Sequence, residues 1–259
     1  MRGMFAILKK ELRTNLFSFP TFVLASLFLL ASGLFFTANV IDLSTVSKQL
    51  LEHPEESFSV PVHFNQAVIL PFFLNAGLIF ILILPLVAAR SFSEEKRQWT
   101  FELLFTYPVS DFAIVSAKFL ALCAFSVLLI LPTLIYFLFY YFLKFHFNFY
   151  VLGSAYLGLF LVAILLSSIG MLVSSLTESQ IMSTAVSFFL FVSLWIMGWV
   201  TDLLFPQASS WVNEFWIVAH LREFSRGVID TAALSYYLIA AAFFLFVTLL
   251  SLESRSWKR

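Results

Sequence analysis

The stretch VLGSAYLGLFLVAILLSSIGMLVS, residues 151–174, decides the fold class because it contains no acidic or basic side chain. An α-helix needs about 20 mostly apolar residues to cross the hydrocarbon core of a membrane, so this stretch predicts a membrane-spanning helix. The whole chain has the same character: apolar residue types make up 61% and charged types 12% of its 259 residues. Soluble domains average about 25% charged residues, so the composition indicates an integral membrane protein.

Five other stretches satisfy the same length requirement. Together the six predict an all-α integral membrane protein that forms a single transmembrane domain over residues 1–259. The spans are expected at residues 20–40, 67–89, 112–142, 151–174, 182–203 and 232–252. The apolar part of the first span is longer than the roughly 7–15 residues that a signal peptide uses, so we interpret it as a membrane span.

Lysine and arginine are distributed unevenly between the two sides of the predicted membrane domain. Of the 15 such residues, eleven fall on the side that carries both termini and the 90–111 loop. Because cytoplasmic loops are enriched in Lys and Arg, that side is expected to be cytoplasmic. The segments 41–66, 143–150 and 204–231 then face outward. We expect 41–66 to be a solvated loop and 204–231 to form short amphipathic helices on or in the outer leaflet, since it carries Trp211, Phe215 and Trp216.

Residues 1–19 show helical periodicity. Apolar residues recur at steps of three and four, which places them on one helical face: Phe5, Leu8, Leu12, Leu16 and Phe19. Lys9, Lys10 and Arg13 lie elsewhere around the axis, where they can reach anionic headgroups. The pattern predicts an interfacial elbow helix before the first span. The alternative is an ordinary basic flank of that span.

The segment SFSEEKRQWTFELLFTYPVS, residues 91–110, interrupts the apolar spans with a charged loop. Ser91 and Glu94 have the spacing of a capping box, which predicts that a short helix begins there. Pro108 disfavours helical backbone in the residue before it, so the helix should end by Thr106. Such a helix, with charges in one half and aromatic residues in the other, suits either docking to a cytoplasmic partner or a simple interfacial loop.

The sequence around this loop, RSFSEEKRQWTFELLFTYPVSDFAIVSAKFLA (residues 90–121), resembles a segment of type-2 ABC transporter permeases. Their usual form is close to EEK-x-x-GT-x-E-LL-x-x-P-(V/I)-S-x-x-x-(I/V)-x-x-K. The chain departs from that form at Trp99, where the family usually has glycine. The stretch HLREFSRGVIDTAALSYY (residues 220–237) and the leader with its KEL sequence also resemble the family. The likeness is greatest to the permeases linked to gliding motility and to nitrous-oxide reductase maturation.

The resemblance implies that residues 92–106 form a coupling helix that docks into a separate ABC ATP-binding subunit. The residues implied in docking are Glu94, Glu95, Lys96, Arg97, Trp99, Glu102, Leu103 and Leu104. The resemblance also implies a second permease subunit, identical or closely related, and ATP with Mg on the ATP-binding partner rather than on this chain. The assembly would be an exporter in the inner membrane of a bacterium, with both termini of this chain cytoplasmic.

Motifs for enzymatic chemistry are absent from the sequence. No G-x-x-x-x-G-K-[ST] motif is present to bind ATP phosphates, and Cys123 is the only cysteine, so no cysteine pair can hold zinc. The four histidines are dispersed: His53, His63, His146 and His220. We therefore expect no catalytic, cofactor-binding or metal site on this chain, and no role as an enzyme.

Polar residues inside the spans are few. Ion-coupled carriers usually place ionisable side chains in the membrane interior. Such side chains are scarce in the predicted spans of this chain, which argues against a carrier or channel that works without an ATPase. Asn75 either lines a transport path or bonds to a neighbouring helix. A third interpretation, a scaffold that anchors an ATPase to an envelope machine, stays open. Small residues four apart, Ser154–Gly158 and Gly170–Ser174, predict close helix approach along one face of the fourth span.

Overall fold

A computed structural model describes residues 2–52, 64–97, 110–142, 148–205, 207 and 212–256. All regular structure within these residues is helical, which confirms the predicted fold class. In chain order the helices are α1 (Arg2–Leu16), α2 (Phe19–Glu52), a π-helical turn (Asn65–Ile69), α3 (Leu70–Ala88), α4 (Arg90–Arg97), α5 (Asp111–Ile130), a 3-10 turn (Leu131–Thr133), α6 (Leu134–Phe142), α7 (Phe149–Leu176), α8 (Gln180–Leu204), α9 (Ile217–Ser225) and α10 (Thr231–Ser256).

Six helical stretches in the described part of the chain are long and apolar enough to cross a membrane, as predicted. They are α2, the π-turn with α3 and α4, α5 with α6, α7, α8 and α10. The expectation of a solvated loop from residue 41 is wrong, because α2 continues to Glu52. Polar side chains in this extension bond to carbonyls of their own helix, as Ser44 does to Ile41 and Ser47 to Leu43. Residues 53–63 lie outside the described part.

Helix α7 lies at the centre of the bundle. In the most apolar part of α7, 78% of the residues are buried inside the bundle, whereas the corresponding share is 22% in α2 and in α10. Small side chains make this possible, because they allow neighbouring backbones to come close. A Cβ added to Gly158 would lie 2.5 Å from Cβ of Phe224, and one added to Gly170 would lie 2.5 Å from Cβ of Ala88. The close approach predicted along this face of the fourth span is confirmed.

Aromatic rings fill the interior between α2, α3, α6 and α7. Phe72 is the hub: its ring centre lies 5.6 Å from that of Phe36 and 5.2 Å from that of Phe137, both in edge-to-face geometry. Phe73 meets Tyr156 in the same way at 4.8 Å. Such pairs stabilise packing beyond the area they bury, so this cluster holds four helices together.

Both described ends of the chain lie at one end of the bundle. Helix α1 packs on the first turns of α5, and the last turns of α10 meet the end of α7, where Ser175 donates a hydrogen bond to Ser251. Helix α4 also contacts the end of α7. We call this the α4 end. The opposite end, which holds α9, is called the α9 end.

Candidate functional site

Helix α4 continues the second span after a local interruption at Ala89. The interruption leaves backbone N–H groups of the first turn of α4 without partners in their own helix. Ser174 of α7 supplies them: its Oγ accepts hydrogen bonds from the N–H groups of Phe92 and Ser93, each at 3.0 Å. The same hydroxyl donates to the carbonyl of Ala89 at 2.7 Å. One buried serine therefore provides hydrogen-bond partners for the backbone groups where α3 ends and α4 begins.

The predicted capping box is wrong. Helix α4 begins at Arg90, so Ser91 lies inside the helix rather than in front of it. Ala89 keeps helical backbone angles, φ −58° and ψ −27°, and its N–H bonds to the carbonyl of Pro85. The charged segment is thus a near-direct extension of the second span. Tertiary packing on α7 provides the caps that the local sequence was expected to provide.

Lys96 attaches α4 to the end of α7. Its Nζ donates to the carbonyls of Ser174 at 3.4 Å and Thr177 at 3.1 Å, and also to that of Ser175. These carbonyls are the unpaired acceptors of the last turn of α7, and a positive charge there also interacts favourably with the helix dipole. Lys96 therefore binds within the chain.

A buried ion cluster attaches α4 to α1 and α5. The Nζ of Lys118 lies 2.9 Å from Oε1 of Glu11 and 2.9 Å from Oε1 of Glu95. The Lys118 side chain is 2% exposed, and the two carboxylate side chains are 11% and 12% exposed. Lys10 reaches Glu95 from the rim at 3.5 Å. The ring of Phe92 lies 5.2 Å below the Lys118 ammonium and adds a cation–π contact.

The inward face of α1 is centred on Glu11, which is buried because it pairs with Lys118. Leu8, Leu12 and Leu16 are partly buried, whereas Phe5 is 69% and Phe19 81% exposed on the outside of the bundle. Apolar periodicity does not register the ion pair of Glu11. The position of the apolar face in the membrane interface stays a prediction. The helix itself is confirmed over Arg2–Leu16.

The predicted docking residues separate into groups. Arg97 is exposed and Glu94 half-buried on α4, whereas Glu95 and Lys96 make the internal contacts described above. Trp99, Glu102, Leu103 and Leu104 lie outside the described residues. Their docking role stays a prediction.

The remaining predicted residues are spread over the chain. Lys9, Lys10 and Arg13 are exposed on α1, and Lys10 also pairs with Glu95; their contact with lipid headgroups stays a prediction. Asn75 is half-buried in α3, and no hydrogen bond joins it to another residue of the described part. Its path-lining role stays a prediction.

At the α9 end, the segment before the last span packs into the bundle rather than lying on it. Trp216 is 3% exposed, and its Nε1–H donates to the carbonyl of Trp195 at 2.7 Å. Its ring lies against Gly198, where an added Cβ would come within 2.2 Å. Trp216 therefore packs inside the bundle, and the predicted short helix is present as α9. The depth of this segment relative to the outer leaflet stays a prediction. Trp211 lies outside the described residues.

The missing side chain of a glycine also lets the C-terminal end of α9 pack closely on α7. Phe224 fills the notch at Gly158, and its carbonyl accepts a hydrogen bond from Ser154 at 2.6 Å. The Tyr237 hydroxyl donates to the carbonyl of Ile217 at 2.9 Å. Both ends of α9 are thus fixed between α7, α8 and α10.

Sequence reasoning missed Glu11 and Ser174 as site residues and assigned no role to Lys118. A signal for the ion cluster was present. A lysine within an apolar span needs a partner, and Glu11 is the acidic residue of an otherwise basic and apolar helix. The part of Ser174 carries no such signal, since serine is common in spanning helices.

The described residues hold no group of three or more His, Cys, Asp or Glu side chains that could bind a metal ion. His220 instead shares a hydrogen bond with the carbonyl of Glu214 at 2.8 Å. The other three histidines, His53, His63 and His146, lie outside the described residues.

The fold defines a multi-pass helical membrane protein. At one end of it the charged helix α4 continues α3 and is bonded to α7 and α5. Comparison with protein families narrows this class. The chain matches the family described as ABC-2 family transporter protein over residues 5–210. It therefore belongs to the ABC-2 transporter family and is a membrane subunit of an ABC transporter. No curated protein matches the chain.

Proposed function

We propose that this chain is the permease subunit of an ATP-driven exporter. A separate ATP-binding subunit binds ATP and Mg and hydrolyses the ATP, since the sequence has no phosphate-binding loop. Two permease subunits, identical or closely related, form the path. Family membership and the six apolar helices support this proposal. Within the family, the sequence likeness supports a relation to the gliding-motility and nitrous-oxide reductase maturation permeases, which is part of the proposal.

The observation that carries the proposal is the way α4 is attached. It extends α3 almost without interruption, Ser174 and Lys96 fix it to α7, and Glu95 fixes it to α5 and α1. A force applied to α4 therefore acts on several spans at once. A surface loop without function would not need such attachment. A coupling helix needs it, because packed elements transmit displacement only when they move together.

The internal contacts also refine the docking surface. Glu95 and Lys96 face the chain, so we expect the partner to contact Arg97 and Glu94, together with Trp99, Glu102, Leu103 and Leu104 from the predicted set. The α4 end then faces the cytoplasm of a bacterium, in agreement with the charge bias between the two sides.

The proposal is tested by co-purification. The tagged chain is extracted from its own bacterium in mild detergent, bound proteins are identified by mass spectrometry, and ATP hydrolysis of the eluate is measured. We expect a protein with a phosphate-binding loop to elute with the wild type. The variant Arg97→Glu/Glu102→Arg should retain at least about tenfold less of it, the factor that a loss of about 1.4 kcal/mol produces.

The matched control is Lys48→Glu, a charge reversal at an exposed position of α2 towards the α9 end. It should retain the partner as the wild type does. A monodisperse wild-type chain that elutes without any ATP-binding protein in several detergents contradicts the proposal and favours a carrier. A partner that binds but whose ATP hydrolysis supports no export from vesicles favours the scaffold.

A further inference from the structure

We propose that Lys118 is a positioning residue that joins the N-terminal helix α1 to α4, so that the two helices move as one unit. This inference rests on the proposed function, because it assigns α1 a part in the motion that the ATP-binding subunit starts at α4. It also gives Glu95 a positioning role in place of direct docking.

The geometry gives Lys118 two partners on different helices. Its ammonium lies 2.9 Å from a carboxylate oxygen of Glu11 on α1 and 2.9 Å from one of Glu95 on α4. These residues are separated from Lys118 by 107 positions and 23 positions in the chain, so the cluster joins distant segments. An ammonium carries three donors, which allows it to serve both carboxylates at once.

Burial makes this link strong. Two carboxylates that converge on one point repel each other unless a positive charge lies between them. Lys118 provides that charge with a side chain that is 2% exposed, so water does not replace it. Removing one member of a buried ion pair leaves an uncompensated charge in a medium of low dielectric. The three side chains are therefore expected to separate only at high cost.

The direct ion pair between α1 and α4 is much more exposed than the Lys118 cluster. It joins Lys10 to Glu95 at 3.5 Å, with Lys10 62% exposed. Exposed pairs of this length contribute little. The backbone does not connect the two helices directly either, since α2 and α3 lie between them in the chain. The buried ion contacts described here between α1 and α4 run through Lys118.

The consequence concerns how a motion spreads. If the partner displaces α4, the buried cluster moves α1 along the membrane surface together with the first turns of α5. Helix α1 precedes the first span, so the displacement also reaches α2. Lys118 thus adds a route from α4 to the first span, beside the direct packing of α2 on α3.

The test measures the separation of α1 and α4 in the full chain. Spin labels are attached at Thr14→Cys and Arg97→Cys, both at exposed positions, in a Cys123→Ala background. Pulsed electron paramagnetic resonance then gives the distribution of distances between the labels in lipid nanodiscs. We expect one narrow distribution for the unmodified cluster.

Two variants remove ion pairs of the cluster without leaving an unpaired charge. Glu11→Gln replaces the Glu11–Lys118 ion pair by at most a weaker, neutral-acceptor hydrogen bond and keeps the Lys118–Glu95 pair. Glu11→Gln/Glu95→Gln/Lys118→Met replaces the whole cluster by neutral side chains of similar size. Each should remain monodisperse and helical while its distance distribution at least doubles in width. The matched control Glu178→Gln neutralises an exposed carboxylate beside the end of α7 and should leave the width unchanged.

A narrow, unshifted distribution in a folded Glu11→Gln chain overturns the inference, since the cluster then only neutralises buried charge. If the triple variant does not fold, the distance distribution of the Glu11→Gln chain still tests the inference on its own. The distance measurement needs no partner, so a failure to co-purify an ATP-binding protein contradicts the proposed function alone.

Discussion

At the scale of the residue, buried polar side chains determine how the α4 end is built. Ser174, Lys96 and Lys118 each satisfy several partners on other helices, and each would be costly to bury alone. Hydrogen bonds and ion pairs require a defined geometry between donor and acceptor, whereas apolar packing is non-directional. The register of α4 on the bundle is therefore set by three side chains.

Ser174→Ala is expected to lower the free energy of unfolding by about 1–3 kcal/mol, because it leaves buried N–H groups of α4 without an acceptor. Titration with a denaturing detergent, followed by circular dichroism, measures the change. The control is Ser168→Ala on the same helix. Ser168 is equally buried, but its hydroxyl bonds only to the carbonyl of Leu165 in α7, so a smaller loss is expected. Equal losses for the two variants would contradict the role assigned to Ser174.

At the scale of the element, α9 shows how a short helix is held inside a membrane domain. Its large side chains enter notches that glycine leaves on α7 and α8, and hydrogen bonds from Ser154 and Tyr237 reach its carbonyls. Backbone groups in lipid need such internal partners. The position of α9 thus depends on the absence of a Cβ at Gly158 and Gly198.

Gly158→Ala is expected to displace α9, since the new Cβ would lie 2.5 Å from that of Phe224. Overpacking of this kind typically costs about 1–3 kcal/mol, and the fluorescence of the buried Trp216 should shift to longer wavelength. Gly153→Ala is the matched control, because nothing lies within 4 Å of its added Cβ. Alanine there removes the helix penalty of glycine, about 1 kcal/mol, and should not reduce stability. A shift of equal size in both variants would show that the notch is not specific.

At the scale of the whole molecule, sequence periodicity and length predict the six spans, because the membrane imposes one strict requirement on each of them. The predicted ends of the spans are less accurate than their number. Helix α2 runs to Glu52, where serine side chains bond to carbonyls of their own helix. The second span continues through Arg97, where Ser174 of α7 supplies hydrogen-bond partners for the backbone. The inward position of Glu11 and the burial of Trp216 were likewise not predictable, because both depend on residues elsewhere in the chain.

The placement of the α4 end in the cytoplasm is tested with a membrane-impermeant thiol reagent on intact cells. In a Cys123→Ala background, Lys48→Cys on α2 is expected to react, while Glu178→Cys at the end of α7 reacts only after the cells are opened. Both positions are exposed, so accessibility differs only by side. The reverse pattern would invert the predicted orientation.

The ion cluster of Glu11, Glu95 and Lys118 also bears on biosynthesis. A ribosome makes the chain from the N-terminus, so Glu11 is synthesised 107 residues before the lysine that neutralises it. Until the third span is made, α1 therefore carries a carboxylate without its native counter-ion. The cluster can close only after the third span has been made, and α4 gains Ser174 and the carbonyls that bind Lys96 only with the fourth.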